Sequence, residues 1–336
     1  MTSVLDKAFA KATLLACKGY IPSFINDSAN VSLNNILSAA YKKSLPKVEG
    51  NTDGFLNYTD LTVLYDTDRK VPFFSAYNID GSQRGVKVSR ANKFRLDPRI
   101  PADIQLSDTF YDLRKDITEF EIGHMAANNE MAWGVDAQLR AYQTFHFPNS
   151  VPQAENLNTG IWKTLETYII DESATLESDK KICVFTGPLL LKTDPGYIKQ
   201  PDFKIPLFFF KVIVFMSSKG LYSTAFMMSH EQKMKDQHMF VTVAERGLTA
   251  ASDTAFKDFK YRKVFQVNVG YLEDISGMNF TWKGVKKLLL KNGAQMQEIA
   301  EIKDADDAQK HEGEMMRGAE PDNTPARKYK LNITLP

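Results

Sequence analysis

The sequence contains only two cysteines, Cys17 and Cys183, among 336 residues. Two cysteines are too few for a disulfide framework or for a cysteine-based zinc site. Long apolar runs are missing too, because the longest candidate, residues 205–216, is interrupted by Lys211, whereas a membrane-spanning helix needs about 18 or more apolar residues. We therefore expect a globular protein with no membrane partner.

The start of the chain lacks the pattern of a signal peptide, which has a basic end, an apolar block and a small-residue cleavage site in that order. The first 24 residues instead carry scattered charges, namely Asp6, Lys7, Lys11 and Lys18. The expected location is therefore the cytoplasm, or a site reached by an export route without a classical signal peptide.

Several catalytic motifs are absent as well. The five histidines show neither HExxH nor HxH spacing, and there is no GxSxG elbow, Walker loop or dinucleotide fingerprint. These absences argue against serine hydrolases, P-loop enzymes and nicotinamide enzymes. We expect a structural role for His146 and surface positions for three further histidines, His230, His238 and His311.

The net charge is only +1, so no overall field indicates a nucleic-acid partner. The local distribution is more informative, because residues 84–99 hold six basic side chains and a single acid, Asp97. We call residues 84–99 the basic stretch. Such a run alone is usually a solvated loop, and a role in binding phosphate needs support from elsewhere in the chain.

Hydrophobic patterns predict the organisation of the chain. Residues 61–65 and 71–77 predict a β-hairpin, which a long loop at 78–120 follows. Helices are predicted at 126–146, 158–172 and 283–300, and buried strands at 181–191, 205–216, 221–227 and 264–269. A short helical run near 270–276, an acidic linker at 301–327 and a terminal strand at 329–335 complete the pattern.

Four motifs then follow one another in the middle of the chain: EIGH at 121–124, NSVPQ at 149–153, LNTGIWKTLE at 157–166 and FTGP at 185–188. With KFRLDPRIP at 93–101 and PLFFFKVIVF at 206–215, this order resembles the DNA/RNA non-specific endonucleases of the endonuclease G type over about residues 60–282.

The resemblance implies an α+β fold, with a ββα-metal finger nuclease core and a central, mainly antiparallel sheet flanked by helices. The implied nuclease domain covers residues 56–282. A helical extension at 1–55 precedes it, and a charged helix, a linker and a terminal strand at 283–336 follow it.

The resemblance also implies roles for individual residues. His124 is the general base, and Asn149 orients the active-site loop. Asn158 is the metal ligand, and Glu166 accepts hydrogen bonds from metal-bound waters. Eight residues separate Asn158 from Glu166, so on a helix they share a face about 12 Å apart and cannot easily ligate one small ion together. The expected cofactor is Mg²⁺, which often keeps most of its waters, with Mn²⁺ as a substitute.

One position departs from the family pattern. The family has an arginine two residues before the histidine, where this chain has Ile122, and it has an aspartate where this chain has Glu121. A guanidinium at that position would contact phosphate and stabilise charge in the transition state. Either Arg95 or Arg99 replaces it, or turnover is weakened or specialised; we favour replacement.

The leading hypothesis is a metal-dependent, non-specific endonuclease that hydrolyses phosphodiester bonds in DNA, RNA or both. The alternative is a catalytically weak member of the same fold that binds nucleic acid or has a regulatory role. A third class, a phosphodiesterase for small nucleotides, would need a closed pocket. The expected partner is DNA or RNA, while a homodimer, and an inhibitor or regulatory partner at the terminal extensions, are left open.

Overall fold

The structure is a computed structural model that describes residues 3–112, 120–154, 165, 181–236, 239, 263–301 and 333–336. Its strands are β1 (Phe55–Tyr58), β2 (Leu61–Asp66), β3 (Val71–Asp80), β4 (Phe120–His124), β5 (Ser150–Ala154), β6 (Lys181–Leu189), β7 (Gly196–Tyr197), β8 (Gln200–Lys204), β9 (Phe208–Ser217), β10 (Gly220–Ser229), β11 (Lys263–Val267), β12 (Lys286–Lys287) and β13 (Met296–Glu301). Its α-helices are α1 (Val4–Phe9), α2 (Lys11–Ala16), α3 (Asp108–Asp112), α4 (Ala137–Gln143), α5 (Glu231–Asp236) and α6 (Val269–Ser276).

A nine-stranded sheet forms the centre of the described residues. Its strand order is β1-β2-β3-β6-β9-β10-β11-β13, and β12 pairs with β10 at the side. The neighbours along this path are antiparallel, and β12 runs parallel to β10. The six α-helices of the described residues are short, with five to eight residues each. The α+β class with a mainly antiparallel sheet is therefore confirmed.

The predicted hairpin and strands are confirmed as well. β2 and β3 pair antiparallel, and β6, β9, β10 and β11 lie within the four predicted strand regions or overlap them closely. All ten residues of β3 are buried, which fits its lack of strict alternation between apolar and polar residues, because a strand covered on both faces need not alternate.

The N-terminal segment before β1 packs into the same core as the sheet. Apart from α1, α2 and a short 3-10 helix at Tyr41–Ser44, it has no regular helix in the described residues. Its apolar side chains join the central core cluster, with Leu14, Val31 and Ile36 each at most 1% exposed. This segment therefore forms part of the core of the folded chain.

Two helix predictions need correction. Only one α-helix, α4, forms within residues 126–146. Gly134, just before it, has a positive φ of 64°, which is outside the helical range, so the helix does not extend towards residue 126. The predicted helix at 283–300 is wrong: β12 pairs with β10, and β13 pairs with β11. Asn292 and Gly293, between these strands, both have positive φ values, which a continuous helix does not allow. Hydrogen bonding to strands of the sheet therefore decides the structure of this segment in spite of its helical spacing of apolar residues.

The described end of the chain docks on β11. Residues 333–336 have no regular secondary structure, although they include part of the predicted terminal strand. The Thr334 amide donates to Gln266 Oε1 at 2.8 Å, and Gln266 Nε2 donates to the Thr334 carbonyl at 3.0 Å. These two bonds attach the terminal residues to the sheet through a side chain.

A separate two-stranded sheet, β4 with β5, carries the EIGH and NSVPQ motifs. Its partners in register include His124 with Ser150 and Glu121 with Gln153. The connection between the two strands contains α4. Across the described residues, none of the helices has the length and apolar character required to cross a membrane.

Candidate active site

His124 is the last residue of β4, and two aromatic rings hold its imidazole. The ring centroids of Phe94 and Phe145 each lie 4.6 Å from that of His124. The residue is only 8% exposed, and in the part of the chain that the structure describes its Nε2 has no hydrogen-bond partner. The imidazole is therefore fixed in orientation and retains one unused nitrogen.

Burial lowers the pKa of His124 to about 3, and the positive charge of Arg90 acts in the same direction. The imidazole is therefore neutral at physiological pH, which is the state that can accept a proton. A phosphate anion next to the ring would oppose both effects and raise this pKa.

Arg90 belongs to the basic stretch, and its guanidinium lies over the Phe145 ring, 5.5 Å from the centroid. Phe145 therefore contacts the imidazole of His124 and the guanidinium of Arg90. Arg90 Nη1 also donates to Asn128 Oδ1 at 3.4 Å. Sequence reasoning placed Arg90 in the basic stretch but not among the site residues, although the concentration of positive charge there was the signal.

Arg95 has its backbone beside the site and its side chain elsewhere. Its amide donates to the Phe145 carbonyl, and its carbonyl accepts from the Phe147 amide, both at 2.9 Å. Its guanidinium lies over the Phe9 ring of α1 at 4.7 Å. The preceding residue, Phe94, packs on His124 instead, so consecutive side chains reach different neighbours.

Arg99 is enclosed by structural partners and is only 5% exposed. Its guanidinium donates twice to the Asp97 carboxylate, at 3.0 and 2.7 Å, and also to the carbonyls of Leu14 and Asn57. It lies over the Tyr58 ring at 4.8 Å. These contacts tie the basic stretch to β1 and α2.

Asn149 is fully buried, and all the hydrogen-bonding capacity of its amide is used. Nδ2 donates to the carbonyls of Ala126 and Thr144, while Oδ1 accepts from the Ala126 amide and from Ser75 Oγ. The side chain therefore fixes the backbone two residues beyond His124 and joins it to β3.

Gln153, from the same motif, is the opposite case. It is fully buried, but neither its Oε1 nor its Nε2 has a hydrogen-bond partner in the described residues. Its side chain lies over Gly123, where any Cβ would overlap it. A larger residue before the histidine would therefore displace the Gln153 side chain. The sequence identified Gln153 only as a motif position, and nothing in the pattern showed that its amide has no partner.

Ile122 is partly buried and packs against the core opposite Pro152. Since residues i and i+2 of a strand share a face, Ile122 and His124 lie on the same side of β4. On the face of β4 that carries His124, the apolar side chain of Ile122 therefore stands where the resemblance implies an arginine guanidinium.

The predicted metal-binding residues, Asn158 and Glu166, lie outside the described residues. Leu165, the described position between 155 and 180, is helical and 1% exposed. Within the described residues, no group of three or more His, Cys, Asp or Glu side chains could hold a metal ion. The ion site at Asn158 and Glu166 therefore stays a prediction.

The surface position expected for His230 is wrong, because this residue is fully buried. Its Nδ1 accepts from the Ala154 amide at 3.0 Å, and Nε2 lies 2.7 Å from the Pro206 carbonyl. Burial lowers its pKa to about 4. The residue holds the end of β5 against the segment before β9. His238 and His311 lie outside the described residues.

His146, expected to be structural, is also fully buried. Its Nδ1 lies 2.9 Å from the Gln143 carbonyl, and its ring packs against Phe9 and Tyr58. Burial lowers its pKa.

A buried ion pair supports the loop that follows His124, and sequence reasoning missed it. Lys211 Nζ lies 2.6 Å from Glu130 Oε1, and both side chains are fully buried. Lys211 also donates to Tyr77 Oη at 3.0 Å, and Tyr77 donates to Glu130 Oε2 at 2.7 Å. Glu130 Oε2 accepts from the Ala127 amide as well. We call Glu130, Lys211 and Tyr77 the buried triad. Its signal in the sequence was the lysine that interrupts an apolar strand.

Comparison with protein families gives a match to the model described as DNA/RNA non-specific endonuclease, over residues 40–287, which is more than half of the chain. Among curated proteins, the chain is 30% identical over 200 residues to the uncharacterized protein y4fB of Sinorhizobium fredii, a match covering 56% of this chain and 29% of that protein. It is 28% identical over 169 residues to the mitochondrial nuclease EXOG of Homo sapiens, covering 47% of this chain and 43% of that protein. The match thus spans less than half the length of each of these relatives.

Among solved structures, the crystal structure of the EndoG/EndoGI complex, described as showing the mechanism of EndoG inhibition, aligns with a TM-score of 0.48 and 21% sequence identity. The alignment covers 67% of this chain and 84% of the other.

Proposed function

Because the chain belongs to the DNA/RNA non-specific endonuclease family, we propose that it hydrolyses phosphodiester bonds in DNA, RNA or both, with His124 as the general base. The supporting observation is the neutral imidazole held between Phe94 and Phe145, whose buried Nε2 has no partner in the described residues. A general base needs such a nitrogen, with a lone pair that no other group uses.

The proposed reaction is an in-line displacement at phosphorus. His124 accepts a proton from a water molecule as the water oxygen bonds to phosphorus. The bond from phosphorus to the 3′ oxygen breaks, and the 3′ oxygen takes up a proton from a solvent water, which leaves a 5′-phosphate and a 3′-hydroxyl. The imidazolium then releases its proton to solvent, which restores neutral His124. The negative substrate raises the pKa of the imidazole at the moment when the proton arrives. Contacts to phosphate groups give little sequence preference.

Mg²⁺ is the proposed cofactor, with Mn²⁺ as a substitute. Following the resemblance to the family, we propose that Asn158 supplies a direct ligand and Glu166 acts through ion-bound waters; both lie outside the residues that the structure describes. Amide and carboxylate oxygens are the donors that hard divalent cations prefer. When bound, the ion supplies neutralisation of charge on the phosphate.

A plasmid-nicking assay with Mg²⁺ or Mn²⁺, repeated on an RNA substrate, tests the proposal. The expected result is cleavage that a chelator abolishes and that the His124→Ala protein, purified in the same way, lacks. Equal cleavage by that variant would indicate a contaminating nuclease or a different base. No cleavage at protein concentrations well above trace contamination would favour the nucleic-acid-binding alternative.

The metal arm of the experiment uses Asn158→Ala and Glu166→Ala. We expect the first variant to lower activity and to raise the Mg²⁺ concentration needed for half activity. The second should act in the same direction, but less completely because its contact passes through water. If activity depends on Mg²⁺ concentration in both variants as it does in the wild type, the proposed ion site at Asn158 and Glu166 is wrong.

A further inference from the structure

An aromatic side chain of the N-terminal segment, Phe9, packs behind the candidate site. It is the last residue of α1, which precedes the region matched by the family model, residues 40–287. Its ring centroid lies 4.8 Å from that of the His146 imidazole, and the Arg95 guanidinium lies over the same ring at 4.7 Å. Phe9 therefore contacts two residues that are distant from it in sequence.

These two residues, Arg95 and His146, are partners in a parallel β-bridge. The Arg95 amide donates to the carbonyl of Phe145, the residue before His146, at 2.9 Å. Successive side chains of extended backbone point to opposite faces. The residues that precede the two partners, Phe94 and Phe145, are therefore expected on the face turned away from Phe9.

The contacts of Phe94 and Phe145 follow this alternation, because both rings pack on His124 with centroid distances of 4.6 Å. The Arg95–His146 bridge thus has Phe9 on one face and the imidazole of His124 on the other. In the described residues His124 Nε2 makes no hydrogen bond, so the orientation of the ring depends on the packing of Phe94 and Phe145.

The segment that carries Phe9 is itself attached on both sides of this bridge. α1 packs against α4, and its Ala8 is fully buried. The Leu14 carbonyl accepts from Arg99 Nη1 of the basic stretch at 3.1 Å. Cys17 Sγ accepts from Gln143 Nε2 of α4 at 3.5 Å. These contacts hold Phe9 at a defined place behind the bridge.

We propose that Phe9 is a positioning residue for the general base. By packing on Arg95 and His146, it fixes the bridged backbone that holds the two aromatic rings against His124. This inference rests on the proposed nuclease function and extends it, because it makes the geometry of the base depend on α1. Phe9 touches no reacting atom, so its removal should affect the rate of the chemical step and not the affinity for substrate.

The first test compares Phe9→Ala with Phe24→Ala. Phe24 is a matched control, since it lies in the same N-terminal segment, is also partly buried and packs on the Trp133 ring at 5.7 Å. We expect Phe9→Ala to lower kcat roughly tenfold with KM unchanged, because a small displacement of a catalytic group slows the reaction steeply. Phe24→Ala should leave kcat unchanged when equal amounts of folded protein are compared.

Two further variants keep the test decisive if Phe9→Ala does not fold. Phe9→Tyr retains the ring that Arg95 and His146 contact, so its kcat should stay close to that of the wild type. Phe9→Leu retains apolar bulk without the ring, so its kcat should fall. Wild-type kcat in folded Phe9→Leu would overturn the inference. An equal loss of kcat in Phe9→Ala and Phe24→Ala would do so too, because it would reflect lost packing in general.

A measurement without substrate or metal separates this inference from the proposed function. In protein with isotope-labelled histidine, kept in chelator, the NMR signal of the His124 ring is identified by its absence from His124→Ala. Phe9→Ala should move this signal towards that of free histidine, because the flanking aromatic rings shift it only while they are held in place, and Phe24→Ala should not. If the wild type cleaves but neither kcat nor this signal depends on Phe9, the inference alone fails. If the wild type does not cleave at all, the proposed function fails, and the signal still decides whether Phe9 holds the ring of His124.

Discussion

Two buried polar regions each include a residue of the loop that follows β4, Asn128 in one and Glu130 in the other, and they differ in how completely their hydrogen bonds are satisfied. In the site, His124 Nε2, Asn128 Nδ2 and the Gln153 amide are buried without partners in the described residues. In the buried triad, by contrast, the carboxylate, ammonium and hydroxyl groups bond to one another.

The difference has an energetic meaning. A buried polar group without a partner costs about 1–3 kcal/mol, so three such groups around one strand end are costly unless water or a ligand bonds to them. A complete buried network instead holds the backbone in one arrangement. Here Glu130 accepts from the Ala127 amide, so the triad fixes the loop that begins after His124. We interpret the first region as the place of chemistry and the second as its support.

The largest expected effect separates activity from stability. His124→Ala should lower the rate of cleavage by about 10²–10⁴-fold, the contribution typical of a general base. The free energy of unfolding, measured by urea denaturation, should fall by less than in the triad variant below, because the unpartnered Nε2 leaves with the ring. Full activity in matched Mg²⁺ would show that His124 is not the base.

The second effect is a larger loss of stability than the one expected for His124→Ala. Lys211→Met leaves Glu130 as an unpaired buried charge, and breaking a buried ion pair in this way costs about 3–5 kcal/mol. The double variant Lys211→Met/Glu130→Gln should recover part of that loss, because it removes both charges. If Lys211→Met unfolds at the same urea concentration as the wild type, the triad does not support the loop.

A matched pair within one motif sharpens the comparison. Asn149→Leu removes an amide with four bonds and leaves backbone groups unsatisfied, so it should lower the free energy of unfolding by about 1–3 kcal/mol or more. Gln153→Met removes an amide without partners and should leave stability unchanged or higher. Equal destabilisation by both, in the same denaturation assay, would show that the Gln153 amide has partners after all.

The smallest effect concerns His230, a buried histidine outside the site, and is measured through the pH dependence of stability. The pKa of His230 is about 4 in the folded chain, against 6.5 for the free residue. The unfolded state therefore takes up the proton first, and stability falls as pH decreases from 7 towards 4. His230 contributes roughly 2 kcal/mol of this loss between pH 7 and 5. His230→Gln should flatten the pH dependence of unfolding by that amount, and an unchanged curve would contradict the assignment.

Much of the sheet could be predicted, because its strands are apolar and β-branched or aromatic runs separated by polar turns. The motif order was also enough to identify His124 as a candidate. The local pattern did not contain what depends on distant partners. The bonds of Lys211 to Glu130 and Tyr77 join three elements far apart in sequence, and no periodicity encodes them.

The same reason explains the errors. Residues 283–300 have helical spacing, but their place at the edge of the sheet requires strands. His230 is polar and follows a strand end, yet the segment before β9 encloses it. Arg90 was one of six basic residues in its stretch, and its contacts with Phe145 and Asn128, two residues distant in sequence, could not be predicted from that stretch.

The most direct test of His124 as the base is chemical rescue. His124→Ala should leave a space between the Phe94 and Phe145 rings into which free imidazole fits. We expect added imidazole to restore DNA cleavage by this variant at least tenfold, with a pH dependence that follows the neutral form of the added imidazole, while the wild type is unaffected. Wild-type activity of the variant without imidazole, or no rescue in a variant shown to fold and to bind DNA, would contradict the account.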